Sequence, residues 1–399
     1  MTPGPGIART QLPKGFTASG VNSGVRKYRP DLGIILSDRE SVAVAVFTLN
    51  ECKAAPVLYS QNLVPSAHMR GIITNSGQAN AATGEDGRDR NWQMALAAAK
   101  SAGCLPHQIL TASTGMIGID LAVEKIVEAM PELINRASDT AESFANAILT
   151  TDLVPKAVTT TVALSGGTVR ITGISKGSGM IHPNMATMLG YLLTDAELEL
   201  GSATQLLRDV NNVSFNMISV DGDTSTNDTV FLMANGASGV ALTTAEDRAA
   251  FKKALTEVSQ VLAQAIARDG EGANKMIQVE LRGAPTVELA RAAARGITIS
   301  PLIKSAIHGE DPNWGRILAR LGAEKIPASA LDRMTLQMQD TVLFADGKPV
   351  VFDRNQVRQQ LKADTVYIRI ELSSGPGNAT AWGCDLSKRY VDINAEYST

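Results

Sequence analysis

The 399-residue sequence has few of the residues that build disulfide-bonded or metal-stabilised proteins. Its three cysteines, Cys52, Cys104 and Cys384, are far apart and odd in number, which argues against a disulfide framework and favours a reducing cytoplasm. The four histidines are equally scattered, and neither HExxH nor CxxC occurs. We therefore expect no metal site.

An excess of positive charge and long apolar runs are also absent. The sequence carries 37 Lys+Arg against 40 Asp+Glu, so it lacks the basic field that binds phosphate backbones, and we expect no nucleic-acid partner. Because no run of about 18 apolar residues occurs, we expect no membrane span. Met1–Arg9 has no apolar segment of the signal-peptide type. The 44% of hydrophobic residues suffices for a large core, and the composition favours a cytoplasmic enzyme acting on small molecules.

Strand and helix patterns are mixed along the chain. Two β-branched runs, Ala157–Leu164 and Thr168–Ile174, flank a Ser-Gly-Gly turn and predict a hairpin. A helix is predicted over Ala245–Arg268 with Thr244 as its N-cap, and another over Thr286–Arg295 that ends at the following glycine. This order favours an α/β (α+β) fold, a layered αββα-like sandwich with antiparallel or mixed sheets.

The segment Gly173–Leu189 has the highest density of candidate chemistry, and three interpretations compete there. The first is a phosphate-binding loop, since Gly177–Gly179 resembles the start of GxGxxG. However, His182 occupies the place of the last glycine, and the Walker pattern GxxxxGK[ST] is absent.

The second interpretation is a nucleophile elbow, because Gly173–Gly177 matches GxSxG with Ser175 as nucleophile. The base would be His182 or His308, the only histidines that follow it. The glycines and Pro183 after the motif disfavour the helix that an elbow requires.

The third interpretation centres on the Ala186–Thr187 bond. A threonine hydroxyl needs a neighbouring base, and cleavage before Thr187 would supply one as its own α-amino group, with a pKa of about 8. Taken from the residues alone, however, Ala186–Thr194 is best interpreted as an ordinary strand.

Lys176–Leu189, KGSGMIHPNMATML, resembles the KGxGMIxPNMATML signature of the ornithine acetyltransferase (glutamate N-acetyltransferase) family. The resemblance extends over essentially the whole chain, and Leu153 and Ser305 are small departures from it. The other similar segments are Asn75–Gly84, Ser113–Gly118, Thr150–Lys156, Ser219–Asp228, Arg268–Ala273, Lys304–Ile317 and the terminal INAEYST.

The resemblance implies a precursor that cleaves itself between Ala186 and Thr187. An α chain of residues 1–186 and a β chain of residues 187–399 would remain in one folded unit, with a smaller C-terminal lobe from about residue 285. Members of this family form α₂β₂ assemblies or larger ones, and their fold is a layered α/β structure with sheets between helices.

The resemblance also implies the reaction, the transfer of acetyl from N-acetylornithine to glutamate in arginine biosynthesis. Thr187 would be the nucleophile of a ping-pong mechanism through an acetyl ester, and Thr114 and Gly115 would form the oxyanion hole. No cofactor is expected, although some members also use acetyl-CoA as donor. The substrate-binding set implied by the resemblance is Thr150, Lys176, Thr187, Glu271, Asn394 and Thr399.

Without the resemblance, these residues have ordinary interpretations. Thr114 and Gly115 would form a turn after an Ile109–Thr111 strand, Lys176 would be a solvated loop charge, and Glu271 a turn residue. Two rival functions remain: an N-terminal-nucleophile amidohydrolase or aminopeptidase that passes the acyl group to water, and a non-enzymatic amino-acid-binding relative. The segments Asn313–Arg316 and Asp221–Asn227 receive no role.

Overall fold

The computed structural model describes residues 10–182 and 188–396, in which two β-sheets and their helices account for most of the chain. The strands are β1 (Phe16–Val21), β2 (Leu32–Phe47), β3 (Ser66–Gln78), β4 (Ile109–Met116), β5 (Lys156–Leu164), β6 (Gly167–Lys176), β7 (Leu189–Thr194), β8 (Ile218–Ser219), β9 (Thr229–Ala234), β10 (Met276–Ala284), β11 (Thr335–Met338), β12 (Thr341–Ala345), β13 (Lys348–Pro349), β14 (Thr365–Glu371) and β15 (Gly377–Cys384).

The helices lie between and around these strands. They are α1 (Ala55–Gln61), α2 (Gly84–Ala102), α3 (Val123–Asn135), α4 (Glu142–Ala147), α5 (Leu200–Asn211), α6 (Ala245–Arg268), α7 (Val287–Ile299), α8 (Pro301–His308), α9 (Trp314–Ala323), α10 (Ala328–Leu331), α11 (Arg354–Gln360) and α12 (Lys388–Glu396). Within the described ranges, none of these helices is both long enough and apolar enough to cross a bilayer.

The first sheet has the strand order β4-β3-β2-β9-β7-β6-β5, and β1 also pairs with β2. Its β3–β4 and β7–β9 pairs are parallel, while the other pairs are antiparallel. Because Leu189 pairs with Thr229 at the start of the parallel β7–β9 ladder, the preceding residues, Met188 and Asp228, lie at the same end of these two strands. The candidate site is located at this end.

The second sheet has the order β13-β12-β11-β14-β10-β15-β8 and also mixes parallel with antiparallel pairs. Helix α6 packs against β5 and β6 of the first sheet and against β8 and β15 of the second. Its buried residues recur at helical spacing: Phe251, Leu255, Val258, Leu262 and Ile266. Full burial of such a side chain contributes about 1.5–3 kcal/mol. The expected mixed α/β sandwich with two sheets is confirmed.

Two of the local predictions are confirmed by the structure. Strands β5 and β6 form the predicted antiparallel hairpin, with Leu164 opposite Gly167 at its turn. Helix α6 begins after Thr244, whose hydroxyl accepts a hydrogen bond from the Asp247 amide, while the Thr244 amide donates one to the Asp247 carboxylate. This is a capping box, which satisfies two amide groups that the helix leaves unpaired.

The predicted end of the next helix is wrong. Thr286 is the N-cap of α7 rather than its first residue, and α7 continues through Gly296 to Ile299. A Cβ atom on Gly296 would collide with the side chains of Arg320 and Glu324. The glycine therefore permits a close approach between α7 and α9 instead of ending the helix.

Candidate active site

A cavity of about 290 Å³ opens where β4 and β6 end and β7 begins. Its lining includes Met188, the residue next to Thr187 in the sequence. Six of the predicted site residues, which come from distant parts of the chain, also line it: Thr114, Gly115, Thr150, Lys176, Glu271 and Asn394. The remaining predicted residues, Ala186, Thr187 and Thr399, lie outside the described residues.

Thr114 and Gly115 belong to a strand rather than to a turn. Strand β4 continues to Met116, and Gly115 pairs with Gly77 of β3 in parallel register. Gly115 has a φ of +130°, and a Cβ atom there would overlap the backbone of Gly77. Only glycine allows this close backbone approach, so the interpretation of a turn after Thr111 is wrong.

Lys176 is the last residue of β6, and its side chain is almost completely buried. Its Nζ atom donates hydrogen bonds to Thr150 Oγ1 at 2.8 Å and to Thr114 Oγ1 at 3.3 Å. Because an ammonium group only donates, both hydroxyls act as acceptors in these bonds. Each hydroxyl therefore keeps its own hydrogen to donate to a ligand in the cavity.

Burial also sets the electrostatics of Lys176. It lowers the pKa of this ammonium group, and the nearby Asp152 carboxylate partly offsets the effect. The Lys176 Nζ atom lies 3.9 Å from Asp152 Oδ2. Because Lys176 is buried and lines the cavity, the interpretation of Lys176 as a solvated charge is wrong. A buried ammonium group at a cavity can bind an anion.

Glu271 supplies the opposite charge, in the turn that follows α6. Its side chain accepts a hydrogen bond from Asn394 Nδ2 at 2.9 Å, and its amide donates to the Ser178 carbonyl at 3.0 Å. Asn394 belongs to α12, so this helix and the turn after α6 meet at the cavity. The cavity thus offers an ammonium group and a carboxylate to one ligand.

Two further cavity residues, Asn227 and Asp228, were not predicted. Asn227 Nδ2 donates to the carbonyls of Ala79 at 2.6 Å and Ser113 at 2.9 Å, which ties the start of β9 to β4. Asp228 is only 4% exposed, and none of the described residues donates a hydrogen bond to its Oδ2 atom. Burial raises its pKa well above the ordinary value. The only indication of these two residues in the sequence was a polar run directly before a buried strand.

In the two segments that the sequence left without a role, Asp221 and Asn313 bind nearby backbone amides. The Asp221 carboxylate accepts hydrogen bonds from the amides of Met180 at 2.6 Å and Ile181 at 2.9 Å, and so positions the segment that leads toward Thr187. Asn313 is the N-cap of α9, and its Oδ1 atom accepts a bond from the Arg316 amide. Neither Asn313 nor Arg316 lines the cavity.

The nucleophile-elbow interpretation is wrong. Ser175 lies inside β6, where its neighbours on both sides are strands. His182 instead contacts Arg295 at 3.0 Å, and burial lowers the pKa of its ring to about 4, while His308 pairs with Asp385 at 2.7 Å. Residues 177–182 contain no helix, which also removes the phosphate-loop interpretation. Among the described residues, no group of three or more His, Cys, Asp or Glu side chains is placed to hold a metal ion.

Comparisons with known proteins identify the family of similar chains. A sequence model of the ArgJ family matches residues 17–399. The arginine biosynthesis bifunctional protein ArgJ of Synechocystis sp. is 44% identical over 97% of both chains, and that of Dehalococcoides mccartyi is 43% identical over 97% of this chain and 96% of its own. The crystal structure of the Bacillus halodurans argJ protein is 42% identical, covers 53% of this chain and all of its own, and has a TM-score of 0.51.

Proposed function

Because this chain belongs to the ArgJ family, we propose that it transfers an acetyl group from N-acetylornithine to glutamate in arginine biosynthesis, through an acetyl ester on Thr187. The observation that carries the proposal is the cavity beside Met188, where Lys176, Glu271 and the Thr114 hydroxyl meet. Its charges complement a substrate that has a carboxylate at one end and an ammonium group at the other.

In the proposed first step, the Thr187 hydroxyl attacks the acetamide carbonyl of N-acetylornithine while the Thr187 α-amino group accepts the hydroxyl proton. The carbon–nitrogen bond then breaks, the proton passes to the leaving amine, and ornithine departs. In the second step, the amine of glutamate attacks the acetyl ester and restores the Thr187 hydroxyl. Negative charge on the carbonyl oxygen is stabilised in both steps by the Thr114 hydroxyl and the Gly115 amide.

The binding roles follow from charge. Lys176 meets the α-carboxylate of the substrate, and Glu271, held by Asn394, meets the side-chain ammonium group of ornithine. The Thr150 hydroxyl, which Lys176 holds at 2.8 Å, donates to the same ligand. Thr399 completes the proposed set.

Self-cleavage before Thr187 would divide the protein into residues 1–186 and 187–399. The second fragment has 399 − 186 = 213 residues, which is 53% of the chain. The solved Bacillus halodurans chain, matched over its entire length, also covers 53%, and this agreement supports a processed β chain. We further propose that a C-terminal lobe starts near residue 285, where β10 ends, and that the assembly is α₂β₂ or larger.

Acetyl-CoA is the proposed second donor. The relatives with more than 40% identity are named bifunctional proteins, and an acetyl ester on Thr187 can form from a thioester as well as from an amide. No bound cofactor enters either step. The proposed compartment is the cytoplasm, since all three cysteines are free thiols, as a reducing environment keeps them.

Intact-mass spectrometry of the purified protein tests the proposal. We expect two chains separated before Thr187, and the 187–399 chain should gain one acetyl group on incubation with N-acetylornithine alone. Glutamate should discharge that acetyl group as N-acetylglutamate, and a repeat with acetyl-CoA tests the second donor. Loss of the acetyl group to water at a rate that glutamate does not change would instead identify an amidohydrolase, and a chain that never gains acetyl would indicate a binding protein.

A substitution at Gly179 tests the role of Glu271. A Cβ atom at Gly179 would overlap the Glu271 carboxylate, which is the flexible end of a side chain and can move away without disrupting the backbone. We expect Gly179→Ala to raise KM for N-acetylornithine about 10- to 100-fold, since a hydrogen bond to a charged group contributes about 1.5–3 kcal/mol. Gly201→Ala is the matched control, because its Cβ atom meets nothing within 4 Å. Equal KM values for the two variants would contradict the assignment.

A further inference from the structure

A group of buried charges lies directly behind Lys176, and we call Asp152, Lys156 and Asp269 the buried charge cluster. The Lys156 Nζ atom donates to Asp152 Oδ1 at 2.8 Å and to Asp269 Oδ2 at 2.6 Å. The three side chains are between 0% and 7% exposed, and none of them lines the cavity. The cluster therefore does not touch a ligand, and its effect on the site must pass through other residues.

Asp152 is the member that connects the cluster to the cavity. Its Oδ1 atom accepts a hydrogen bond from the Gly177 amide at 2.6 Å, and its Oδ2 atom accepts one from the Thr150 amide at 3.1 Å. The same Oδ2 atom lies 3.9 Å from Lys176 Nζ. One carboxylate thus holds the backbone on both sides of the Lys176–Thr150 contact and faces the ammonium group.

The charges around Lys176 come from several elements. Asp152 and Lys156 lie behind it, and Asp228 and Glu271 face it from the cavity. Burial lowers the pKa of Lys176, the three carboxyl groups raise it, and Lys156 lowers it. Asp152 is itself held ionised, because the two lysines keep its pKa below the ordinary value despite its burial. By contrast, burial raises the pKa of Asp228, so Asp228 is a weaker source of negative charge.

We propose that Asp152 is a positioning residue for the acetyl transfer: it keeps Lys176 charged and directs its ammonium group at the carboxylate of the amino-acid substrate. Lys156 restrains this effect, because it shares the same carboxylate with Lys176. The inference rests on the proposed function for the identity of the ligand. It also gives a physical reason for the four-residue spacing of Asp152 and Lys156 in the segment Thr150–Lys156.

The test is the pH dependence of kcat/KM for N-acetylornithine in the full-length, self-processed protein. Asp152→Asn keeps the shape and an acceptor oxygen but removes the charge. Deprotonation of Lys176 ends carboxylate binding at high pH, so kcat/KM falls there, which forms the basic limb of its pH profile. Loss of the Asp152 charge lowers the pKa of Lys176, so we expect this limb to move to lower pH by about 1–3 units in the variant. Between pH 7 and 8, KM should rise about 10-fold, while kcat changes much less.

Two variants separate this role from simple loss of stability. Asp269→Asn removes a carboxylate that bonds to the same Lys156 but is not in contact with Lys176, so it should lower the melting temperature with a much smaller movement of the basic limb. Lys156→Met removes the competing ammonium group and should move the limb in the opposite direction, to higher pH. This opposite sign keeps the proposal testable if Asp152→Asn does not fold.

Failure of the role proposed for Asp152 can be distinguished from failure of the proposed function. Suppose that the wild-type protein transfers acetyl, but the basic limbs of the Asp152→Asn and Lys156→Met pH profiles do not move in opposite directions. This result would overturn the role of Asp152 and leave the proposed function standing. If the wild type does not transfer acetyl, the proposed function fails, and calorimetric binding of ornithine at pH 7 and pH 9 makes the same comparison without turnover. Equal loss of ornithine binding between these pH values in wild type and Asp152→Asn would then overturn the inference.

Discussion

Thr187→Ala is expected to yield one uncleaved chain of 399 residues that transfers no acetyl group. The variant lacks the hydroxyl that would attack the Ala186 carbonyl during processing, and without processing the α-amino base is never released. Removal of a catalytic nucleophile lowers kcat by about 10⁶-fold in comparable enzymes, so the remaining transfer should fall below detection. A denaturing gel and intact-mass spectrometry measure the processing, and acetyl transfer is assayed on the same sample.

Thr187→Ser is the matched control for this experiment. It keeps a hydroxyl on the same carbon position and loses only a methyl group, so it should still cleave and still transfer acetyl, at reduced rates. Equal thermal unfolding of the two variants would show that the alanine variant is folded. Cleavage at the 186–187 bond that persists in Thr187→Ala would contradict the assignment of the nucleophile.

Thr114→Ala is expected to lower kcat about 10²- to 10³-fold, the usual effect of removing one oxyanion donor. The Thr114 hydroxyl accepts from Lys176 at 3.3 Å and so has its own hydrogen available for the developing oxyanion. That charge exists only in the transition state and the tetrahedral intermediate. KM should therefore change much less than kcat. The Gly115 amide remains in the variant and supports the residual rate.

The measurement is a steady-state assay on processed protein, with the half-time of self-cleavage followed in parallel. Thr114→Ser is the control, because it keeps the hydroxyl and should recover most of the rate. Self-cleavage also passes through an oxyanion, so Thr114→Ala should slow it as well if the same donors serve both reactions. A kcat equal to that of Thr114→Ser would remove Thr114 from the oxyanion hole.

Much of the local structure was predictable because its causes are local. The β-branched runs of β5 and β6 specify extended backbone and the glycines between them specify the turn. The capping residue Thr244 specifies where α6 begins. Gly296 misled the prediction, since its small size serves the contact between α7 and α9, and only the tertiary structure brings α9 to that position.

The sequence by itself determined the family, through segments such as Lys176–Leu189, and with it the expected nucleophile Thr187. Only the tertiary structure decided the surroundings of the other site residues. Along the chain Lys176 looks like a solvated charge and Glu271 like an ordinary turn residue, yet both are buried at one cavity. The bond between Lys156 and Asp269 joins residues 113 positions apart. The pKa and the electrostatic effect of a charged side chain depend on its burial and on its neighbours in space, and the order of residues along the chain reveals neither of them.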